Sequence, residues 1–285
     1  MENSPINSEQ NQEQTHPKWS NTSWEFLSKV RQKSPLIQCI TNYVSMDLAA
    51  NTLLAAGASP AMLHSIDEIP DFTPQIDALY INVGTLSSTV LPAMKSAAEL
   101  AVSIGKPWVF DPVAAGASSF RLRACLDLLS LKPTVVRGNG SEIIALSRAS
   151  FGATKGADSK HESMDALDAA KSLAQATGAV VAVTGAVDII TDGKQVIGAH
   201  NGIQMLQKIT ATGCSVTALI AAFVAIDPTH AFEATAAALS VFGIAGELGM
   251  LSAKGPASLR ANLIDSLYGL DEASIHQYSK ISPLA

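Results

Sequence analysis

The segment "ALYINVGTLSSTVLPAMKSAAELAVSIGKPWVFDPV", residues 78–113, decides the architecture. It opens with a β-prone run at 78–84, passes through an alanine-rich amphipathic stretch at 90–105, and closes with a second β-prone run at 108–113. Strand, helix and strand at this spacing form a βαβ crossover, in which the helix packs on the sheet and the second strand lies parallel to the first. The alternation continues outward in both directions. "LIQCIT" at 36–41, "TVVRGN" at 134–139 and "AVVAVTG" at 179–185 are further strands, and "MDLAANTLLAAG" and "SEIIALSRAS" are further helices. In "DIITDGKQVIGA" at 188–199, Asp192-Gly193 lies between two β-prone runs and reads as a hairpin turn, which predicts an antiparallel segment near the sheet edge. From Cys214 to about Leu270 the chain reads as consecutive helices. The expected class is α/β, with a mostly parallel central sheet flanked by helices.

A chain of 285 residues can bury a large core without disulfide or metal staples. Its net charge of −6, with lysines and arginines scattered singly, lacks the basic stripe that follows a nucleic-acid backbone. No uninterrupted apolar run reaches the roughly 18–20 residues that span a bilayer, and the polar opening has no apolar signal core. The expectation is a cytoplasmic protein with neither nucleic acid nor membrane as a partner. The three cysteines form no C-x-x-C pair and the six histidines have no metal-ligand spacing, so neither a disulfide nor a structural zinc is expected. Residues 1–20, rich in Asn, Gln, Ser and Glu, predict a disordered extension, leaving 21–285 as a single domain. "GATKGADSKHESMD" at 152–165 predicts a mobile surface loop.

Ligands of open parallel sheets bind beyond the carboxyl ends of the strands. Polar residues collect there: Thr41 and Asn42, Asn82 and Gly84, Asp111, Arg137 to Asn139, Thr184 and Gly185. The stretch "ITATGCSVTALIAAF" at 209–223 adds a Thr- and Gly-rich loop that runs into an apolar helix. The start of such a helix presents free N–H groups and a positive dipole end to an anion; an ordinary cap by Thr212 or Ser215 is the alternative. Arg137 in "RGNGSE" offers a fork for phosphate oxygens or pairs with Glu142. Glu142 could hold magnesium directly or through water. Asp111 is a second magnesium candidate, or caps the turn at Pro112. Gly243, Gly246 and Gly249 lack both the G-x-G-x-x-G spacing and a preceding strand, so they read as close helix packing. With neither a P-loop nor a G-x-S-x-G motif, the combination points to phosphoryl transfer from a nucleotide to a small molecule.

The blocks "PLIQCITNYVSMDLAANTLLAAGASPAM", "INVGTLS", "PWVFDPVAAGA", "VVRGNGSEIIAL", "VAVTG" and "TATGCSVTALIAAF" resemble, in order and spacing, the hydroxyethylthiazole kinases of thiamine salvage, from about Pro35 to Leu270. The resemblance implies a ribokinase-like three-layer α/β/α sandwich and a homotrimer with active sites at its subunit interfaces. The implied reaction is ATP- and Mg2+-dependent phosphorylation of the hydroxyl of 5-(2-hydroxyethyl)-4-methylthiazole. It further implies that Met62 contacts the thiazole and that Arg137 and Thr184 bind ATP, with Thr212 and Gly213 in the anion loop. Asn42 belongs to the substrate and phosphate surroundings, Glu142 and Asp111 to the magnesium. Ala211 stands where the family usually has a substrate-contacting glycine; a backbone contact there survives if its φ is negative. Cys214 stands where related enzymes carry a catalytic aspartate. A helix N-terminus is expected to lower its thiol pKa, so it either orients the alcohol and acts as a modest base, or is catalytically silent. A nucleotide-dependent dehydratase of hydrated nicotinamide cofactors and a silent thiazole-binding protein remain alternatives.

Overall fold

The structure, a computed structural model, describes residues 9–151 and 162–284. The mobile loop expected at 152–165 falls mostly outside them. Helix α1 (Glu9–Lys33) leads into β1 (Leu36–Ile40), α2 (Met46–Ala56) and β2 (Ser59–Ala61). A short α3 (Ile69–Phe72) precedes β3 (Ala78–Asn82), α4 (Val90–Ser103), β4 (Trp108–Asp111), α5 (Ser119–Leu129), β5 (Val135–Asn139), α6 (Gly140–Phe151), α7 (Glu162–Thr177) and β6 (Val180–Thr184). The hairpin of β7 (Asp188–Thr191) and β8 (Val196–Ala199) follows, then α8 (Thr212–Ile226), α9 (Ala231–Met250), α10 (Pro256–Gly269), α11 (Glu272–Tyr278) and β9 (Ile281–Pro283).

The sheet order is β2-β1-β3-β4-β5-β6-β7-β8-β9. Pairings from β2 through β6 are parallel and those from β6 through β9 antiparallel, so the hairpin expected at Asp192-Gly193 extends the sheet at one end. Strands β2 and β9 escape the sequence pattern because each is three residues long, carries a proline and forms an edge.

Alternate side chains of each central strand enter opposite cores. On β3, Tyr80 joins a core with Leu27, Leu53, Phe223 and Leu239, while Leu79 and Ile81 join another with Met94, Leu128 and Leu173. Both faces are covered, which is why these strands read as unbroken apolar runs. Cys39 and Cys125 are core residues of the two layers, as expected, and burial pushes the Cys125 thiol up to about 12.

Two departures from the sequence reading concern helices. The boundary expected at residue 20 falls inside α1, because Trp19 and Trp24 pack onto the core and outweigh the polar composition around them; Trp19 lies 6.5 Å from the Phe232 ring. The stretch Pro228–Met250 is long and apolar enough to cross a membrane by length and composition, although Glu233 and Glu247 interrupt its apolar run. Most of it is buried inside the protein, and it serves as a core helix.

The three glycines of α9 act by close packing. A Cβ on Gly243 would lie 2.6 Å from the Cβ of Asn201 and 2.7 Å from its backbone, and one on Gly249 would lie 3.0 Å from the backbone of Asn262. Gly269, with open space around it, is the control. Gly243→Ala is therefore expected to lose about 1–3 kcal/mol to overpacking, seen as a lower Tm in thermal denaturation, whereas Gly269→Ala leaves the Tm within about a degree or raises it.

Candidate active site

The parallel strands deliver their carboxyl ends to one edge, and α8 begins against it. Residues two apart on a strand share a face, so Tyr80 and Asn82 both point toward α8. The Tyr80 hydroxyl donates to the Cys214 carbonyl at 2.9 Å, and Asn82 Nδ2 donates to the Tyr80 oxygen at 2.9 Å and to Asp111 Oδ2 at 3.0 Å. Thr217, one helical turn beyond Cys214, donates to the same Asp111 oxygen at 2.9 Å. Asn42 Nδ2 donates to Asn82 Oδ1 at 2.8 Å and to Cys214 Sγ at 3.4 Å. A Cβ on Gly84 would sit 2.6 Å from Asn42 Nδ2, so glycine at this turn is what admits the amide. Arg121 ties the turn down from outside by donating to the carbonyls of Val83, Gly84 and Val113.

Asp111 is wholly buried, and burial pushes its carboxyl up to about 6 against the pull of Arg137. Its Oδ1 is buried with no partner among the described residues. Asp111 therefore does not cap the Pro112 turn with its side chain. Arg137 is not paired with Glu142 either: its Nη2 donates to Thr184 Oγ1, its Nη1 lies 3.8 Å from Asp111 Oδ2, and its buried Nε has no partner. Glu142 accepts the Ala114 N–H at 2.8 Å through one oxygen and the Asn139 N–H at 2.8 Å through the other.

The α8 loop differs from both readings of a cap. The Thr212 hydroxyl donates backward to the carbonyls of Leu206 and Ile209, and the buried Ser215 hydroxyl has no partner among the described residues. The first intrahelical bond runs from Ser215 N to Ala211 O at 2.9 Å, so the N–H groups of Thr212, Gly213 and Cys214 precede the helical ladder. Arg137 is stacked close to this end, since a Cβ on Gly213 would meet its Nη1 at 2.8 Å.

Arg137, Thr184, Thr212 and Gly213 line one cavity of about 460 Å³ that continues past Val216 to Leu239 and Phe242. Asn42, Asp111 and Cys214 form the hydrogen-bonded network beside it. Met62 lies beyond β2, packed on the core, and is not brought to that cavity. Ala211 packs against the cluster of Leu48, Ile209 and Leu259.

One condition is not met and one expectation is corrected. Ala211 has φ +70°, so the negative φ on which a preserved backbone contact depends is absent. Burial, reinforced by the charge of Asp111, raises the Cys214 thiol pKa; these outweigh the hydrogen bonds and the Arg137 charge that lower it. Tyr80 and Thr217 were missed, and Asp188 lines the cavity as well. The period-two relation of Tyr80 to Asn82 and the one-turn spacing of Thr217 from Cys214 were available signals, whereas nothing local marked Asp188.

A profile of the hydroxyethylthiazole kinase family matches residues 27–273. The chain belongs to the hydroxyethylthiazole kinase family. A hydroxyethylthiazole kinase of Arabidopsis thaliana is 68% identical over 257 residues, covering 90% of this chain and 93% of that protein. One of Zea mays is 62% identical over 267 residues, covering 93% and 94%. The solved structure of the hydroxyethylthiazole kinase from Pyrococcus horikoshii is 40% identical with a TM-score of 0.86, covering 93% of this chain and all of that one. An ADP complex of Bacillus subtilis pyridoxal kinase, 20% identical with a TM-score of 0.54, covers 74% and 90% and shares the fold. Fold and family together make this chain a ribokinase-like phosphotransferase, and hydroxyethylthiazole kinase identity supports thiazole phosphorylation.

A left-handed conformation costs a non-glycine residue about 1–2 kcal/mol, and glycine returns about 0.4–1 kcal/mol of that through unfolded-state entropy. Ala211→Gly is thus expected to stabilise the protein by about 1 kcal/mol or slightly less. Chemical denaturation checks it; an unchanged or lower midpoint would contradict the strain assigned to Ala211.

Proposed function

We propose that this chain transfers the terminal phosphoryl group of ATP to the hydroxyl of 5-(2-hydroxyethyl)-4-methylthiazole, with Mg2+, in thiamine salvage. The carrying observation is the convergence of Arg137, Thr184, Thr212 and Gly213 on one cavity at the start of α8. Arg137 supplies donors for phosphate oxygens, and the leading N–H groups of α8 supply more. The apolar end at Leu239 and Phe242 suits a nucleobase.

Among the described residues no group of three or more His, Cys, Asp or Glu could hold a metal ion. Magnesium needs less, since it keeps waters and takes one or two carboxylates together with substrate phosphates. The unpartnered, buried Asp111 Oδ1, with the Glu142 charge near enough to raise the Asp111 pKa, fits such a cation. Asp111 and Glu142 would hold it, and when bound it neutralises charge on the transferring phosphoryl group.

Cys214 then acts by position. Its raised pKa keeps it a thiol at neutral pH, hydrogen-bonded by Asn42 and facing the alcohol. The loose transition state of phosphoryl transfer asks little of a base, so holding the alcohol in line carries the step. Tyr43 and Val44, next to Asn42, are 65% and 61% exposed. Large apolar side chains at the rim of a site fit a second subunit covering it, in keeping with a cytoplasmic homotrimer whose active sites, with Met62 near the thiazole, lie at subunit interfaces.

The test is Mg2+-dependent ADP release from ATP with and without the thiazole alcohol, with mass spectrometry of the product. Thiazole-dependent ADP and a thiazole phosphate are expected; a folded protein that binds the alcohol yet makes no phosphate would overturn the reading. Cys214→Ala is expected to lower kcat by about tenfold or less, because only positioning is lost. A loss of roughly 10²–10⁴ would instead identify the thiol as the base.

A further inference from the structure

The cavity that holds Arg137 and Gly213 also holds a carboxylate with no role in the chemistry described so far. Asp188 opens β7, directly after the turn that follows Thr184, and lines the cavity with Gly185, Asn201 and Gly202. Its Oδ1 accepts the Gly185 N–H at 3.0 Å, which fixes the side-chain rotamer. Its Oδ2 has no hydrogen-bond partner among the described residues. No ion pair within 4 Å joins Asp188 to Arg137 among the described residues; the arginine acts on it only as a more distant charge, and its nearer carboxylate is Asp111. The turn alone does not call for a carboxylate, because an asparagine oxygen would accept the Gly185 N–H equally well.

A free carboxylate oxygen beside a polyphosphate site is repulsive unless the ligand brings donors to it. A nucleotide has two such sets, the hydroxyls of its ribose and the amino group of its base. The apolar walls at Val216, Leu239 and Phe242 give the base a place to stack, and Arg137 with Gly213 marks the phosphate end. The sugar spans the interval, and a vicinal diol is a fitting partner for a carboxylate. We propose that Asp188 is the specificity residue for the sugar, accepting from a ribose hydroxyl and selecting ribonucleotides over deoxyribonucleotides. The inference rests on the assignment of this cavity to the nucleotide. Burial pushes the Asp188 carboxyl up to about 6, partly offset by the Gly185 N–H and then by Arg137, so it is mostly ionised at neutral pH and above.

Calorimetric titration of the full chain with ADP, 2′-deoxy-ADP and 3′-deoxy-ADP at pH 8 tests this without turnover. The unaltered protein is expected to bind ADP about tenfold more tightly than at least one deoxy analogue. Asp188→Asn, which keeps the Oδ1 bond to Gly185, is expected to bring the three affinities within about twofold of one another. Equal affinities in the unaltered protein, or an Asp188→Asn variant that still discriminates, would overturn the inference. Tight ADP binding without discrimination removes only the role of Asp188, whereas absence of ADP binding removes the nucleotide cavity as well. Because the analogue comparison is made on the unaltered protein first, equal affinities there overturn the inference even if the variant folds poorly.

Discussion

A carboxylate taken wholly out of water must be surrounded by donors or it will not stay charged. Asp111 meets that condition at one of its two oxygens, and in doing so draws the molecule together around it. One of its oxygens accepts from Asn82 on β3 and from Thr217 on α8, and through Asn82 it reaches Asn42 beyond β1. A buried network of this kind has few alternative arrangements, because any shift leaves a polar atom unsatisfied. The distance from the sheet edge to the first turn of α8 is therefore set by hydrogen bonds of ordinary length, with Tyr80 adding a direct bond to the Cys214 carbonyl. Asp111 Oδ1 and Arg137 Nε are left buried without a partner among the described residues, side by side with this network.

Gly213 and Cys214 are neighbours that face different ways at this edge. Gly213 lies under the Arg137 guanidinium, where any side chain would displace it, and lines the cavity with it. Cys214 turns its sulfur to Asn42, in the hydrogen-bonded network beside that cavity. The helix that carries both is buried along most of its length and packed with small residues, which lets it approach the sheet closely. That packing makes α8 a rigid mount for the two residues.

The parallel layers were legible because buried strands announce themselves as β-branched runs at regular spacing, and the hairpin because Asp192-Gly193 is a strong local turn signal. That Arg137, Thr184 and Gly213 share one cavity was legible too, the first two from the rule that ligands meet strand ends and Gly213 from the loop that opens α8. What stayed hidden depends on long-range geometry. Whether Glu142 pairs with Arg137 or takes backbone N–H groups is decided by the Ala114 turn, 28 residues away. The sign of the Cys214 shift depends on how much water the surrounding loops exclude, and a local dipole argument misjudged it. Short edge strands such as β2 carry no periodicity to detect.

The raised thiol pKa of Cys214 has a chemical corollary beyond catalysis. Oxidants and alkylating reagents attack the thiolate, and reactivity follows both its abundance and its access. Cys39 and Cys125 are sealed in the two cores, and Cys214 is half-buried and held in the neutral form. The cysteine that is not sealed in a core is thus the one whose surroundings disfavour the thiolate, the form such reagents need.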